Sequence, residues 1–263
     1  MKNLIKKITG YTLLQIRNLL NIFVNFKEVS VLCFHGIDNT SNVTSLSPAV
    51  FASLVNYLVK NKYYFARLDE IMDEIDGKID LPKKTVAITF DDGYESFLNQ
   101  ALPILKSLNI PTTLFIITDF EAGGCLGRER ALLKGDCLKE MLNSGLISLQ
   151  FHSKTHGNLM KLNRNDLKKE IISGKTELEN KLNIKLSYFA YPGGGYTGEA
   201  VDLVKEAGFE AAFSIKPGTI HRGTYRFLIR RNVILSNMSF WEFKLRLTKA
   251  IDWYRSLSLK FKY

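Results

Sequence analysis

Residues 85–94 read Thr-Val-Ala-Ile-Thr-Phe-Asp-Asp-Gly-Tyr, an apolar and β-branched run that stops on two carboxylates and a glycine. Thr85–Phe90 has the composition of a strand, and Asp-Asp-Gly suits the turn that follows one. A second strand-like stretch, Leu146–Phe151, is followed by His152-Ser153-Lys154-Thr155-His156. Two of the four histidines of the chain therefore stand just past a strand. At a spacing of four they fall on one face of a helical turn and can bind one ion together. Two neutral imidazoles and one carboxylate leave a divalent metal open positions for water and a substrate oxygen, which is a hydrolytic arrangement. Asp92, His152 and His156 are the expected metal ligands, and Asp91 is the expected general base.

The Thr-Phe-Asp-Asp-Gly-Tyr and His-Ser-x-Thr-His strings, in this order, resemble the first two motifs of the polysaccharide deacetylase family, also called the NodB-homology or carbohydrate esterase 4 family. The likeness runs from about Val31 to Ile234. It implies amide hydrolysis of N-acetyl groups on sugars. It also implies that the first Asp serves as base, and that the second Asp and both histidines hold a metal, commonly zinc.

Residues 189–196, Phe-Ala-Tyr-Pro-Gly-Gly-Gly-Tyr, resemble the third motif of the family, which carries an Arg where this chain has Ala190. A replacement is available downstream, because Phe227–Ile234 is strand-like and contains Arg230 and Arg231. Neighbours in a strand point to opposite faces, so only one of the two can reach the site, and Arg231 is favoured. The last family motif supplies a His acid from a late strand, and no histidine follows Arg231. Val29–Phe34 is an early strand that ends in His35. Barrel strands close on themselves, so His35 is the expected acid, in a slot filled from the other end of the chain. Tyr94, through its backbone amide, is expected to bind the oxyanion, and Tyr191, Pro192 and Tyr196 are expected to shape the sugar groove.

The chain has 263 residues, 46% of them hydrophobic, enough for one large core. Cys33, Cys125 and Cys137 are too few and odd in number for a disulfide framework, so free thiols in a reducing compartment are expected. Further strands are expected at Thr112–Ile117, Ser187–Tyr191 and Ala211–Ile215. Helices are expected at Pro48–Lys60, Tyr94–Leu108, Arg164–Leu182 and Thr197–Gly208. The alternation predicts an α/β fold, a distorted (β/α)7-type barrel with active-site residues at the strand ends. The glycine-rich stretch 121–136 is expected as a loop over that mouth.

The expected division is a basic amphipathic segment 1–27, a barrel 28–236 and a C-terminal amphipathic helix 237–263. Residues 1–27 hold five Lys and Arg and no acidic residue. Arg17 interrupts the stretch before the ~18 apolar residues a span needs, and no Ala-x-Ala cleavage site follows. Two basic aromatic ends and a net charge of +10 fit either docking on the barrel or an anionic membrane surface. No nucleic-acid motif is present. The expected protein is thus a cytoplasmic metal-dependent de-N-acetylase of a glycan or lipid-linked glycan precursor, its basic ends either docked on the barrel or placed at the inner face of the membrane. An O-acetyl esterase or deformylase on the same scaffold, and a catalytically silent glycan-binding barrel, are the alternatives.

Overall fold

The computed structural model describes residues 2–120 and 130–260, with side chains for 6–120 and 130–257. Helix α1 (Lys2–Val24) leads into β1 (Glu28–Phe34), the short pair β2 (Gly36–Ile37) and β3 (Ser45–Leu46), and α2 (Pro48–Lys60). Next come β4 (Tyr64–Phe65), α3 (Leu68–Ile75), β5 (Lys84–Phe90) and a π-helical turn (Phe97–Ala101) continuing as α4 (Leu102–Ser107). They are followed by β6 (Thr112–Ile116), α5 (Gly135–Leu142), β7 (Ile147–Phe151), and α6 (Arg164–Lys168) joined through a π-helical turn to α7 (Gly174–Leu182). The chain ends with β8 (Tyr188–Ala190), α8 (Gly198–Glu206), β9 (Ala211–Phe213), β10 (Asn232–Val233), α9 (Phe240–Arg246) and α10 (Ala250–Lys260).

The main sheet is parallel, in the order β10-β1-β5-β6-β7-β8-β9, with β4 beside β5. The Ile229 amide donates to Ala212 and its carbonyl accepts from Ser214, so the chain just before β10 also pairs with the β9 edge. The result is a curled, distorted (β/α)7-type barrel.

Strand alternation sorts the side chains into two cores. Leu32, Phe34, Ile88 and Phe90 pack outward against the helices. Val29, Val31, Ala87, Phe115, Tyr188, Ala190, Phe213 and Ile229 form a second cluster that fills the barrel. Cys33, His35, Thr89 and Asp91 continue the inward phase of β1 and β5.

Three expectations need correction. The strand expected over Phe227–Ile234 is only Asn232–Val233, preceded by a 3-10 turn at Arg226–Leu228, because this segment must cross from the β9 edge to β1. The Tyr94–Leu108 and Arg164–Leu182 helices each contain a π-helical turn. Helices α3 and α5 and the short strands were not anticipated. Of the expected mouth loop, residues 121–129, including Cys125, lie outside the described residues, and Gly135 already begins α5.

Candidate active site

The β5 ladder extends one bond past the strand, with the Asp91 amide donating to the Phe34 carbonyl at 2.9 Å. Asp92 and Gly93 then turn the chain with φ of +74° and +76°. This sends the two adjacent carboxylates in different directions. Glycine is required at 93, since a Cβ there would lie 2.9 Å from Ile116 Cγ2.

His152 follows β7 in the same way, its amide donating to Ile116 at 2.8 Å. The expected helical turn between His152 and His156 is absent. Ser153 and His156 have φ of +69° and +64°, and the His156 amide donates to Ser153 Oγ at 3.0 Å. Glu170, on the π-helical turn, accepts from the Thr155 amide and hydroxyl at 3.0 and 2.6 Å and anchors this loop. The two imidazoles meet through a left-handed loop rather than through helical periodicity.

Asp92 Oδ1 lies 3.5 Å from His152 Nε2 and 3.4 Å from His156 Nε2. For metal–ligand bonds near 2.1 Å, the edge of a tetrahedron is about 3.4 Å. Asp92 Oδ1 is also buried without a hydrogen-bond partner. His152 Nδ1 is 2.8 Å from the Ala190 carbonyl, which leaves Nε2 for the donor set. The three residues fit a divalent cation. Burial works against the charged imidazole of His152, but Asp91 and Asp92 outweigh it and raise its pKa. Burial, with His152 beside it, pushes His156 down to about 4. Burial opposes ionisation of Asp92 as well, yet its three histidine neighbours hold it down at about 2.

Asp91 is gripped from the other side. Arg231 donates to its two oxygens at 2.6 and 2.7 Å, to the Thr89 hydroxyl at 3.3 Å and to the Ser214 carbonyl at 3.2 Å. Both residues are buried, and the guanidinium outweighs the burial penalty to hold the Asp91 carboxyl well below the usual range. The Cys33 thiol, kept protonated by burial, lies 3.4 Å from Asp91 Oδ2 as a further donor. Arg230, on the opposite face, pairs with Asp252 at 3.2 Å. His35 reaches the same place from β1, since one ring nitrogen lies within 4.8 Å of Cys33 Sγ and an Asp91 oxygen. Its buried Nδ1 has no hydrogen-bond partner. Burial lowers its pKa, although Asp92 and Asp91 favour the charged form.

The proposed sugar contacts fare unevenly. Tyr191 is fully buried and donates to the Phe227 carbonyl at 3.1 Å, and Pro192 is buried too, so neither can face a sugar. Tyr196 is half-buried against Tyr191, and its hydroxyl accepts from Lys216. The Tyr94 ring is covered by the Arg130 guanidinium at 3.6 Å. Its backbone amide remains a candidate, because the bonds of Gly93 and Glu95 to Leu133 and Ala131 turn it away from that segment. Sequence reasoning missed the supporting groups Cys33, Thr89 and the Ala190 carbonyl. The inward phase shared by Cys33 and His35 was the available signal for the first.

Fold and site together define a class, parallel barrels that carry a carboxylate–histidine donor set and an arginine-braced carboxylate at the C-terminal ends of their strands. The model of the family described as polysaccharide deacetylase matches residues 78–212. This chain belongs to that family. It is 31% identical over 208 residues to the poly-beta-1,6-N-acetyl-D-glucosamine N-deacetylase of Staphylococcus aureus, a match covering 74% of this chain and 69% of that protein. Among solved structures it resembles the Streptococcus pyogenes deacetylase PplD in complex with acetate (TM-score 0.73, 25% identity, 84% of this chain and 98% of that one). It also resembles IcaB from Ammonifex degensii (TM-score 0.74, 26% identity, with the same coverage).

Proposed function

We infer that this protein is a hydrolase that removes N-acetyl groups from the sugars of a glycan. The observation that carries the reading is the bidentate Arg231–Asp91 pair beside the Asp92, His152 and His156 donors. Family membership and the named activity of the Staphylococcus aureus relative support it. The braced carboxylate also disfavours a silent glycan-binding barrel, since sugar binding alone gives no reason to bury an ionised base on its own cation.

In this reading Asp92, His152 and His156 hold the metal, with zinc proposed from the nitrogen-rich donor set. A divalent cation bound there supplies Lewis acidity to the acetamide carbonyl and to water. Asp91, kept ionised and oriented by Arg231, takes a proton from the attacking water. The Tyr94 amide hydrogen-bonds the developing oxyanion. The proton taken by Asp91 passes through His35, a ring nitrogen of which lies within 4.8 Å of an Asp91 oxygen, to the amine nitrogen as the C–N bond breaks, releasing acetate and a free amino sugar. Tyr196 is the aromatic group left to line the sugar path.

A cytoplasmic location at the inner face of the membrane belongs to the same proposal, supported by the free thiols Cys33 and Cys137 and the basic ends. The deciding experiment is acetate release from zinc-loaded protein on N-acetylated and O-acetylated hexosamine oligosaccharides, β-1,6-linked glucosamine included. Release from the N-acetylated panel is expected. Release from the O-acetylated panel alone would replace the proposal with the esterase reading.

A further inference from the structure

Helix α1 has two apolar faces, and the barrel uses one. Its inner face, Gly10, Leu13, Leu14 and Arg17, packs on α9 and α10, with Leu14 buried beside Leu245, Ala250 and Ile251. A buried ion pair fixes the docking. Arg17 donates to both oxygens of Glu28 at the start of β1, and Glu28 also accepts from the Lys249 amide at 2.8 Å. The opposite face is uncovered, with Ile8 57%, Leu19 63%, Ile22 73% and Phe23 82% exposed. No helix among the described residues is long and apolar enough to cross a membrane.

On the inner side of α1, where Lys6, Lys7 and Gly10 line it, an open cavity of about 430 Å³ lies between α1, α9 and α10. Lys6, Lys7 and Arg246 supply cations to its lining, while Trp241, Leu245 and Met238 supply apolar surface. The Arg246 guanidinium makes no hydrogen bond or ion pair among the described residues, and burial lowers its pKa. Glu242, the carboxylate in the lining, is engaged by the Ser239 amide and hydroxyl in a capping box. The cavity therefore carries a net positive charge, three cations against the one carboxylate of Glu242, which attracts Arg246.

We propose that α1 is a lipid-docking surface whose neighbouring cavity receives the anionic headgroup of a membrane phospholipid, while Ile8, Leu19, Ile22 and Phe23 enter the acyl boundary. The charge pattern selects this occupant. Residues 1–27 contain no acidic side chain, so a second copy would set two basic helices against each other, whereas an anionic lipid surface complements them. Arg17–Glu28 holds the helix on the barrel, so the outer face can lie in the plane of the membrane.

The test is co-sedimentation of the full chain with phosphatidylcholine vesicles, with and without phosphatidylglycerol. Binding is expected to the mixed vesicles only and to weaken as salt rises. Ile22→Asp and Phe23→Asp, both on exposed positions, should abolish binding while acetate release from a soluble oligosaccharide is unchanged. Lys6→Gln, Lys7→Gln and Arg246→Gln should each weaken it about fivefold. The proposal is overturned if anionic vesicles are ignored at low salt, or if the Asp variants still bind. It is equally overturned if soluble glycerol phosphate occupies the cavity without vesicle binding, or if the free protein is a dimer that Phe23→Asp dissociates. None of these outcomes depends on whether the glycan reading is right.

Discussion

Adjacent Asp91 and Asp92 face different partners because the left-handed turn at Asp92 and Gly93 aims one carboxylate at Arg231 and the other at the histidines. Asp91→Asn should retain metal and lose a factor of ~10² or more in rate, the usual loss for a general base. The structure adds a cost that size-matching hides. An Asn amide would leave the fully buried Arg231 partly unpaired, so thermal stability should fall as well. Metal analysis, turnover and a melting curve on the same sample separate the two effects, and near wild-type turnover would remove Asp91 from the base role. His35→Ala removes neither a candidate metal donor nor a partner of the Arg231–Asp91 hydrogen bonds, although His35 lies beside Asp91 and Asp92. It should keep both metal and stability and slow hydrolysis, most for substrates with poor leaving groups. Equal turnover of the His35→Ala and parent enzymes would send the search for the proton donor elsewhere.

The elements that were legible were those with a repeating pattern ending in punctuation. Pro48–Lys60 was read to its exact bounds, since Ser47 accepts from the Val50 amide and Pro48 opens the helix. Helix α3 escaped although Leu68, Ile71, Met72 and Ile75 lie at helical spacing, because eight residues make a weak signal. The π-helical turns were invisible, being set by what each helix must reach, such as Glu170 reaching the His152–His156 loop. Helix α1 was read as amphipathic, but its clamp was not foreseen, since Arg17 and Glu28 become partners only when the helix folds back on β1. Glu28 is 1% exposed and Arg17 9%, so Arg17→Met would strand a buried carboxylate and should cost about 3–5 kcal/mol. A denaturant titration measures this. A shift no larger than a surface substitution would show that α1 does not dock through the pair.

At the scale of the whole molecule the donor triad ties the end of β5 to the loop after β7, so metal that binds only the folded chain stabilises it. At a free metal concentration near 100 Kd the gain is about 2.7 kcal/mol, or roughly 5–10 °C in Tm for a chain of this size. Chelation should remove that increment, and His156→Ala should lack it. Protons compete for the same nitrogens. The pKa of His152 is raised, so its proton displaces metal as pH falls through that value, whereas His156 stays neutral down to about 4. The increment should therefore be full at alkaline pH and disappear through a single-proton transition on acidification, as melting curves with and without metal would show. An increment independent of pH would contradict this ligand set. By itself the sequence determined the barrel class and offered the candidate donors Asp92, His152 and His156, the candidate base Asp91 and one of Arg230 and Arg231, because each rests on local alternation and on residue chemistry at strand ends. Only the tertiary structure decided that His152 and His156 converge through a loop, that Tyr191 and Pro192 are core, and that His35 and Arg231 meet Asp91. Those contacts join segments far apart in the chain, and their geometry is set by barrel closure rather than by any local preference of the backbone.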